Sequence, residues 1–448
     1  MAREGSLEAP TRHPINWRDE RFYSVSAVLQ EMERVFDICH GCRRCVSLCN
    51  AFPVLFELVD NSSTLEVDGV EKKHFWKVVD QCYLCDLCYM AKCPYVPPHS
   101  WNVDFPHLML RAKAIQFKQG SPTKFRDAQL SSTDRNGKLA TIPVVVKFVN
   151  ASAQNRQVRI IGEALAGVHR EAWLPTFAER PFHGSNAVKS GSVNRSRPPS
   201  PLKVAVFSTC YVKYNEPGIG HDLLKILRHA GIEPQFIQQE SCCGMPKLEL
   251  GDLEAIDALR AKNIPALAEL ANQGFLIVSP IPSCTLMFKK ELPLLFVGDT
   301  DVAAVAGAFR DPFELFLSLK QKGYLSLEFK VPLGRVSYHV PCHLRVQNMG
   351  QKTREFLEAI PGTTVTTVER CSGHAGTWGV KKEFHESAMK IGRPVFRQMI
   401  ETTPNYISSD CQLAARHIEQ GVAKLPGTSS PEIAHPLTLA RRALGLPD

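Results

Sequence analysis

The sequence predicts a multidomain protein in which a helical, cysteine-bearing module precedes a duplicated α/β region. Three observations lead there. The 448-residue chain carries 15 cysteines, eight in two tight groups before residue 120 and seven widely spaced after residue 200. The last part of the chain runs twice through one order of short β-rich segments and helical stretches, the sign of an internal repeat. Between the two lies a cysteine-free stretch, 121–200, that ends in the Gly-, Ser- and Pro-rich "SGSVNRSRPPSP" (190–201), a linker by composition. The expected units are 1–120, 121–200, 201–330 and 331–448, in keeping with the length.

Bulk composition sets limits on function. Hydrophobic content of 44% and charged content of 22% suit a soluble globular chain. The most apolar run, "LATIPVVVKFV" (139–149), is too short for a membrane span and contains Lys147. The opening "MAREGSLEAPTRHPINWRDE" has no apolar core of a signal peptide, so the expected location is cytoplasmic, with peripheral contact at the inner face of the membrane. Disulfide frameworks belong to small secreted domains, and an odd number of cysteines does not suit complete pairing. In a reducing compartment, clustered cysteines bind metal or do redox work.

In the N-terminal module, "CHGCRRCVSLCN" (39–50) reads C-x2-C-x2-C-x3-C, and "CYLCDLCYMAKCPY" (82–95) reads C-x2-C-x2-C-x4-C-P. Three thiolates at this step wrap three corners of an iron–sulfur cubane, and the fourth cysteine of each group ligates the other cluster. The spacing therefore assigns Cys39, Cys42, Cys45 and Cys93 to one 4Fe–4S cluster, and Cys82, Cys85, Cys88 and Cys49 to a second. Asn50 stands where proline is usual, and one extra residue precedes Cys93; neither change removes a ligand. Zinc also accepts C-x2-C pairs, but a third cysteine at the same step would be left over. "KHFWKVVDQC" reads as helix, so the module is expected to be a helical two-cluster ferredoxin.

The connector, 121–200, holds 12 Lys or Arg against 5 Asp or Glu, most of the +8 net charge of the chain. A solvated surface is one reading. Docking to an acidic partner or to anionic lipid headgroups is the other. No recognition motif accompanies the charge, so nucleic acid is not an expected partner. "NRQVRIIGEALAGVH" (155–169) has amphipathic helical periodicity.

The repeat then begins. "KVAVFSTC" ends at Cys210, "GHDLLKILRHAG" is helical with a glycine stop, and "EPQFIQQESCCG" brings Cys242 and Cys243. A long helix is expected from Asp252 to Asn272, and "GFLIVSPIPSC" ends at Cys284. The second pass runs "RVSYHVPC" to Cys342, helical "QKTREFLEAI", "TTVTTVERCSG" with Cys371, helical "KEFHESAMKIGRPVFRQMIE", and "NYISSDC" to Cys411. Short β-rich runs alternating with helices imply parallel sheets. Every one of these cysteines falls at or just past a strand end, the rim on which open α/β sheets bind ligands.

These strand-end cysteines, with "SCCG", resemble the cysteine-rich CCG domain of heterodisulfide reductases. The whole order resembles the iron–sulfur subunit of anaerobic glycerol-3-phosphate dehydrogenase and the iron–sulfur subunits of glycolate and lactate oxidases. The fold class implied is a helical twin-4Fe–4S ferredoxin module followed by a duplicated α/β CCG-type domain. Against the CCG pattern, Cys210, Cys242, Cys243, Gly244 and Cys284 match in the first half, with Ile281 where another cysteine stands in the fuller motif. In the second half Cys342, Cys371, Gly373 and Cys411 match, while Ser372 and Ser408 replace cysteines. The resemblance implies an additional iron–sulfur cluster on the four first-half thiols. In the second half it implies an incomplete site that is vacant or completed by His343 or His374. His339 and His385 also fall near these cysteines in sequence.

Other chemistry finds little support. "GIGHDL" (218–223) lacks the third glycine of a dinucleotide fingerprint, and no haem-attachment or H-E-x-x-H zinc motif is present. The function expected is therefore an iron–sulfur electron-transfer subunit that takes electrons from a flavoprotein dehydrogenase partner and passes them to a quinone or other membrane-associated acceptor. Two alternatives stand beside it: a thiol–disulfide reductase acting at Cys242 and Cys243, and a structural zinc module in the C-terminal region.

Overall fold

The computed structural model describes residues 10–120, 124–183, 202–237, 240–325, 327–427 and 431–448. The expected linker, 190–201, lies outside the described residues.

The N-terminal region is helical. Helix α1 (Val25–Cys42) starts where the Ser24 hydroxyl accepts the Ala27 N–H, and buries Val28, Met32, Val35 and Phe36 along one stripe. It stops at Arg43, which has a left-handed φ of 51°. Helix α2 (Ala51–Asp60) packs against it, and α3 (Phe75–Gln81) packs on α2. Helix α4 (Phe105–Gln119) is capped by the Asp104 carboxylate, has proline in its first turn and ends at Gly120. Phe36, Phe52, Phe75 and Phe105 meet ring to ring at its centre.

Four short helices follow in the connector: α5 (Lys124–Leu130), α6 (Thr133–Ala140), α7 (Val145–Gln154) and α8 (Arg156–Ala166). The run "LATIPVVVKFV" is thus split between α6 and α7. Among the described residues no helix is long and apolar enough to cross a membrane.

Two four-stranded, all-parallel sheets make up the rest. Strands β1 (Val204–Val206), β2 (Gln235–Phe236), β3 (Leu276–Val278) and β4 (Phe309–Arg310) take the order β2-β1-β3-β4. Strands β5 (Gly334–His339), β6 (Thr363–Val368), β7 (Tyr406–Ser408) and β8 (Glu432–Ile433) take the order β6-β5-β7-β8. The duplication expected from the sequence is therefore one of topology as well as of spacing. The expected long helix is Leu253–Asn272, capped by Asp252. The fourth strand of each sheet was not among the expected elements. At two residues each, β4 and β8 are too short to show a period of alternation.

The halves interlock. Helix Pro436–Ala443 of the second half packs on helix Pro217–His229 of the first, where Arg441 and Thr438 both engage Asp222. The second half also reaches the N-terminal module, with the Trp378 indole donating to the Asp80 carbonyl at 3.0 Å.

Arg12 fastens the N-terminal segment to both the module and the first half. It binds Asp86 through two N–H groups, at 2.6 and 3.0 Å, and faces Asp104 at 3.2 Å and Glu291 at 3.5 Å. Its removal would leave Asp86 and Glu291 buried without their cation. Arg12→Ala is expected to cost about 3–5 kcal/mol, the scale for breaking one side of a buried pair. A urea midpoint equal to that of the parent protein would show the network to be dispensable.

Candidate metal centres

The eight N-terminal thiols are placed by helix ends and left-handed turns. Cys39 and Cys42 occupy the last turn of α1, and the reversal at Arg43 turns Cys45 back toward them. Cys93 enters from the far side, after the π-turn Cys88–Lys92. Cys39, Cys42, Cys45 and Cys93 line one cavity with Phe52, Tyr95 and Val103. The second group follows α3, where Leu84 and Asp86 take φ of 55° and 60° and coil the chain around Cys82, Cys85 and Cys88. Cys49, just ahead of α2, is close enough to this group to perturb Cys85 and Cys88. Burial first, then neighbouring thiols, pushes Cys39, Cys85 and Cys88 well up, and burial brings Cys82 to about 11. Coordination to a metal removes the thiol proton and turns this proximity from a cost into a binding site.

In the first half, Cys210 opens helix Cys210–Tyr214 after β1, Cys242 and Cys243 follow β2, and Cys284 lies in helix Pro282–Leu286 after β3. Their side chains are joined in a row, Cys210 to Cys242 to Cys243 to Cys284. Hydrogen bonds from Cys210 and Cys243, aided by the Thr133 hydroxyl at 3.4 Å and the Gly244 N–H, draw the Cys242 thiol down. The Asp134 carboxylate accepts the Cys242 N–H, and Asn263 donates to the Cys242 carbonyl at 3.1 Å. Thr133 and Asp134 belong to α6, so the connector walls this site. Sequence reading saw its charge and its amphipathic stretch but not this contact with the cysteines.

The two motif glycines have overlapping reasons. At Gly244 the nearest atom to a Cβ is a Met287 methyl at 3.4 Å, so there is room for a side chain and the requirement is the left-handed φ of 102°. Gly373 shares the left-handed φ, at 85°, and adds a second reason, close passage, since a Cβ there would overlap the carbonyl of Ala388.

In the second half Cys342, Cys371 and Cys411 each fall three residues beyond the last residue of β5, β6 and β7. They line one cavity together with Ser372, His343 and His374, and with Tyr83 and Cys85 from the N-terminal module. The Tyr83 hydroxyl lies 3.0 Å from the Cys371 sulfur, which also accepts the Gly373 N–H at 3.3 Å. Nothing in the spacing of the cysteines pointed to Tyr83, or to Cys85 as a neighbour of the second half.

The four histidines separate. Nε2 of His374 is buried without a hydrogen-bond partner, and burial pushes its imidazole down to about 4, leaving it neutral. His343 is held through Nδ1 to the Ser283 hydroxyl at 2.7 Å. His339 has one ring nitrogen at Ser409 and the other at the Arg370 carbonyl, a structural role. His385 does not join the cysteines; it stacks on His169 at 4.1 Å and bonds the Gly379 carbonyl. Nearness in sequence misplaced it because its ring is held against His169 of the connector rather than at the cysteines. Sequence reading also missed Glu249. It lines the second-half cavity and the chamber beside the first-half thiols, and burial pushes it up to about 7.

None of the fifteen cysteines is in a disulfide. Among the described residues no three His, Cys, Asp or Glu side chains meet at the spacing of a single bound ion. Thiols spread around a shared cavity, as at Cys39, Cys42, Cys45 and Cys93, fit a wider polynuclear group whose corners each take one sulfur.

Paired parallel sheets with cysteines on equivalent rims, behind a helical thiol-rich module, define a duplicated cysteine-rich α/β protein. The family model of the cysteine-rich domain CCG matches at residues 204–289 and 336–418, one match to each sheet, and the chain belongs to that family. Over 352 residues it is 29% identical to a subunit of the anaerobic glycerol-3-phosphate dehydrogenase of Escherichia coli K12, covering 77% of this chain and 83% of that protein. It is 30% identical over 192 residues to lactate utilization protein A of Bacillus velezensis, 40% of this chain and 76% of that protein. A subunit of the CoM/CoB fumarate reductase of Methanothermobacter marburgensis is 27% identical over 227 residues, 50% of this chain and 42% of that protein.

Proposed function

We propose that this chain is the iron–sulfur electron-transfer subunit of a flavin-dependent dehydrogenase complex. It would take electrons from a flavoprotein partner and pass them to a quinone or another acceptor. The observation that carries the reading is the cavity where Cys85 of the N-terminal module meets Cys342, Cys371 and Cys411. It joins the module to the second half, and Cys411 in turn lines the chamber beside Cys210, Cys242, Cys243 and Cys284. Cysteine groups in that arrangement form a row, as a relay requires. Relatives in the family are named as subunits of a dehydrogenase and of a reductase, which agrees with a subunit role.

In this reading Cys39, Cys42, Cys45 and Cys93 hold one 4Fe–4S cluster, and Cys49, Cys82, Cys85 and Cys88 a second. Cys210, Cys242, Cys243 and Cys284 hold an additional cluster. Bound clusters supply one-electron redox chemistry at potentials anywhere between about −700 and +450 mV, set by their surroundings. The chain supplies those surroundings. Phe52, Leu87 and Met245 keep water away, and the N–H groups of Gly244 and Gly373 point at the sulfurs of Cys242 and Cys371.

The test is protein purified without oxygen. Iron and acid-labile sulfide are expected at two clusters or more, and reduction of those clusters by substrate only when the flavoprotein partner is present. Stoichiometric zinc with less than one cluster's worth of iron would overturn the metal assignment. Flavin bound to this chain, or substrate oxidation by it alone, would overturn the relay role.

A further inference from the structure

Beside the first-half thiols lies a largely apolar chamber of about 390 Å³, within the size range of small-molecule sites. One wall carries Cys210, Cys242, Cys243 and Cys284; the opposite wall is the inner side of the connector helices, with Leu130, Val149 and Ala153. Trp173 lines it as well. The Tyr211 hydroxyl also belongs to this wall, and it is buried without a hydrogen-bond partner. A buried phenol with an unused donor costs stability unless something in the chamber accepts from it.

The outer side of the same helices is apolar as well. Val144 is 83% exposed, Phe148 74% and Leu165 84%, and Ile161 lies beside Leu165 on α8. Helix α8 buries no residue at all, although its apolar and polar residues separate onto two faces. From Arg135 to Gly162 the chain carries Arg135, Lys138, Lys147, Arg156 and Arg159 and no Asp or Glu. Glu163, the one acidic residue of α8, is paired with Arg170, so the exposed apolar face is rimmed by net positive charge, which suits an anionic lipid surface, where the apolar side chains enter the acyl boundary and the cations meet headgroups. An acidic protein partner would use the charge but would leave Phe148 and Leu165 unexplained.

We propose that α7 and α8 rest on an anionic bilayer and that the chamber behind them takes the ring of a quinone-class acceptor drawn from that bilayer. The ring would lie between Val149 and Ala153 and the cysteine wall, with a carbonyl oxygen accepting from Tyr211. Reduction there takes two electrons, passed singly from the flavoprotein partner through the cysteine-held centres, and two protons from water, and converts both carbonyls to hydroxyls. The proposal rests on the relay function above, narrows its acceptor to a quinone, and adds the pocket and the point of entry.

The test uses the anaerobically purified full chain. A short-tailed naphthoquinone is expected to quench tryptophan fluorescence to saturation, and Trp173→Phe to remove that quench. Tyr211→Phe should weaken binding about five- to tenfold, the worth of one buried hydrogen bond. Ala153→Phe should fill the chamber and abolish saturable binding. In flotation with vesicles of phosphatidylglycerol and phosphatidylcholine the parent chain should rise with the lipid. The surface variant Ile161→Glu with Leu165→Glu should lower the bound fraction about tenfold. Equal quinone affinity in the parent chain, Tyr211→Phe and Ala153→Phe overturns the chamber; unchanged flotation of the surface variant overturns the bilayer face. If Ala153→Phe does not fold, Tyr211→Phe, which removes only an oxygen, decides alone. Partner-dependent reduction of a water-soluble dye by the parent chain separates this proposal from the relay. Dye reduction without quinone binding sinks the chamber and keeps the relay, and quinone binding without dye reduction does the reverse.

Discussion

Cys243→Ala should remove one distinct EPR or Mössbauer component from the anaerobically purified protein and leave the components of the N-terminal cysteines intact. Cys243 is the third member of the row from Cys210 to Cys284, so its loss interrupts the set rather than trimming an end. Three thiolates would remain, one short of the four that a cubane takes. Around Cys371 the position is different. Ser372 occupies the place that Cys243 holds in the first half, and a serine hydroxyl is a poor ligand for iron. Cys342, Cys371 and Cys411 then offer three thiolates, with the neutral imidazole of His374 on the same cavity wall. Cys371→Ala is therefore expected to lower the iron content less than Cys243→Ala does. Equal iron loss in the two variants would show that the second half holds a full cluster and that the asymmetry read from Ser372 is wrong.

The repeat was legible because strand-end cysteines recur at near-constant spacing, and parallel strands of Val, Ile and Tyr announce themselves by composition. What stayed hidden arises from tertiary packing. Thr133 and Asp134 reach Cys242 only because α6 folds back over the first sheet, 108 residues or more away in sequence. Tyr83 meets Cys371 across 288 residues. Such contacts leave no periodic trace. The connector illustrates the limit from the other side. Its charge and the amphipathic period of α8 were plain in the sequence, but composition alone could not show that α7 is apolar on two faces. Val146, Val149 and Ala153 turn inward along it while Val145 and Phe148 turn outward. Only the chamber behind α7 makes that double character meaningful.

A second large effect tests the crossed ligation in the N-terminal module. Cys93→Ser is expected to deplete the centre of Cys39, Cys42 and Cys45, and Cys49→Ser the centre of Cys82, Cys85 and Cys88. Chain proximity argues for the opposite outcome, since Cys93 follows Cys88 closely and Cys49 follows Cys45. The fold overrides it. The π-turn Cys88–Lys92 carries the chain away from Cys88 and delivers Cys93 into the cavity lined by Cys39, Cys42 and Cys45. Cys49 sits ahead of α2, where the N–H groups of Ala51 and Phe52 point at its sulfur and Cys82 is the neighbouring thiol that acts on it most strongly. Cys88 in turn is perturbed by Cys45 as well as by its own group, so the two centres are close enough for their unpaired spins to interact when both are reduced. Each variant should lose roughly four iron atoms, one cubane's worth, together with the spin coupling between the centres. The decisive comparison sets Cys93→Ser against Cys45→Ser and Cys88→Ser. A residual spectrum that matches Cys45→Ser supports crossed ligation, and one that matches Cys88→Ser would mean that each cysteine group closes its own cluster.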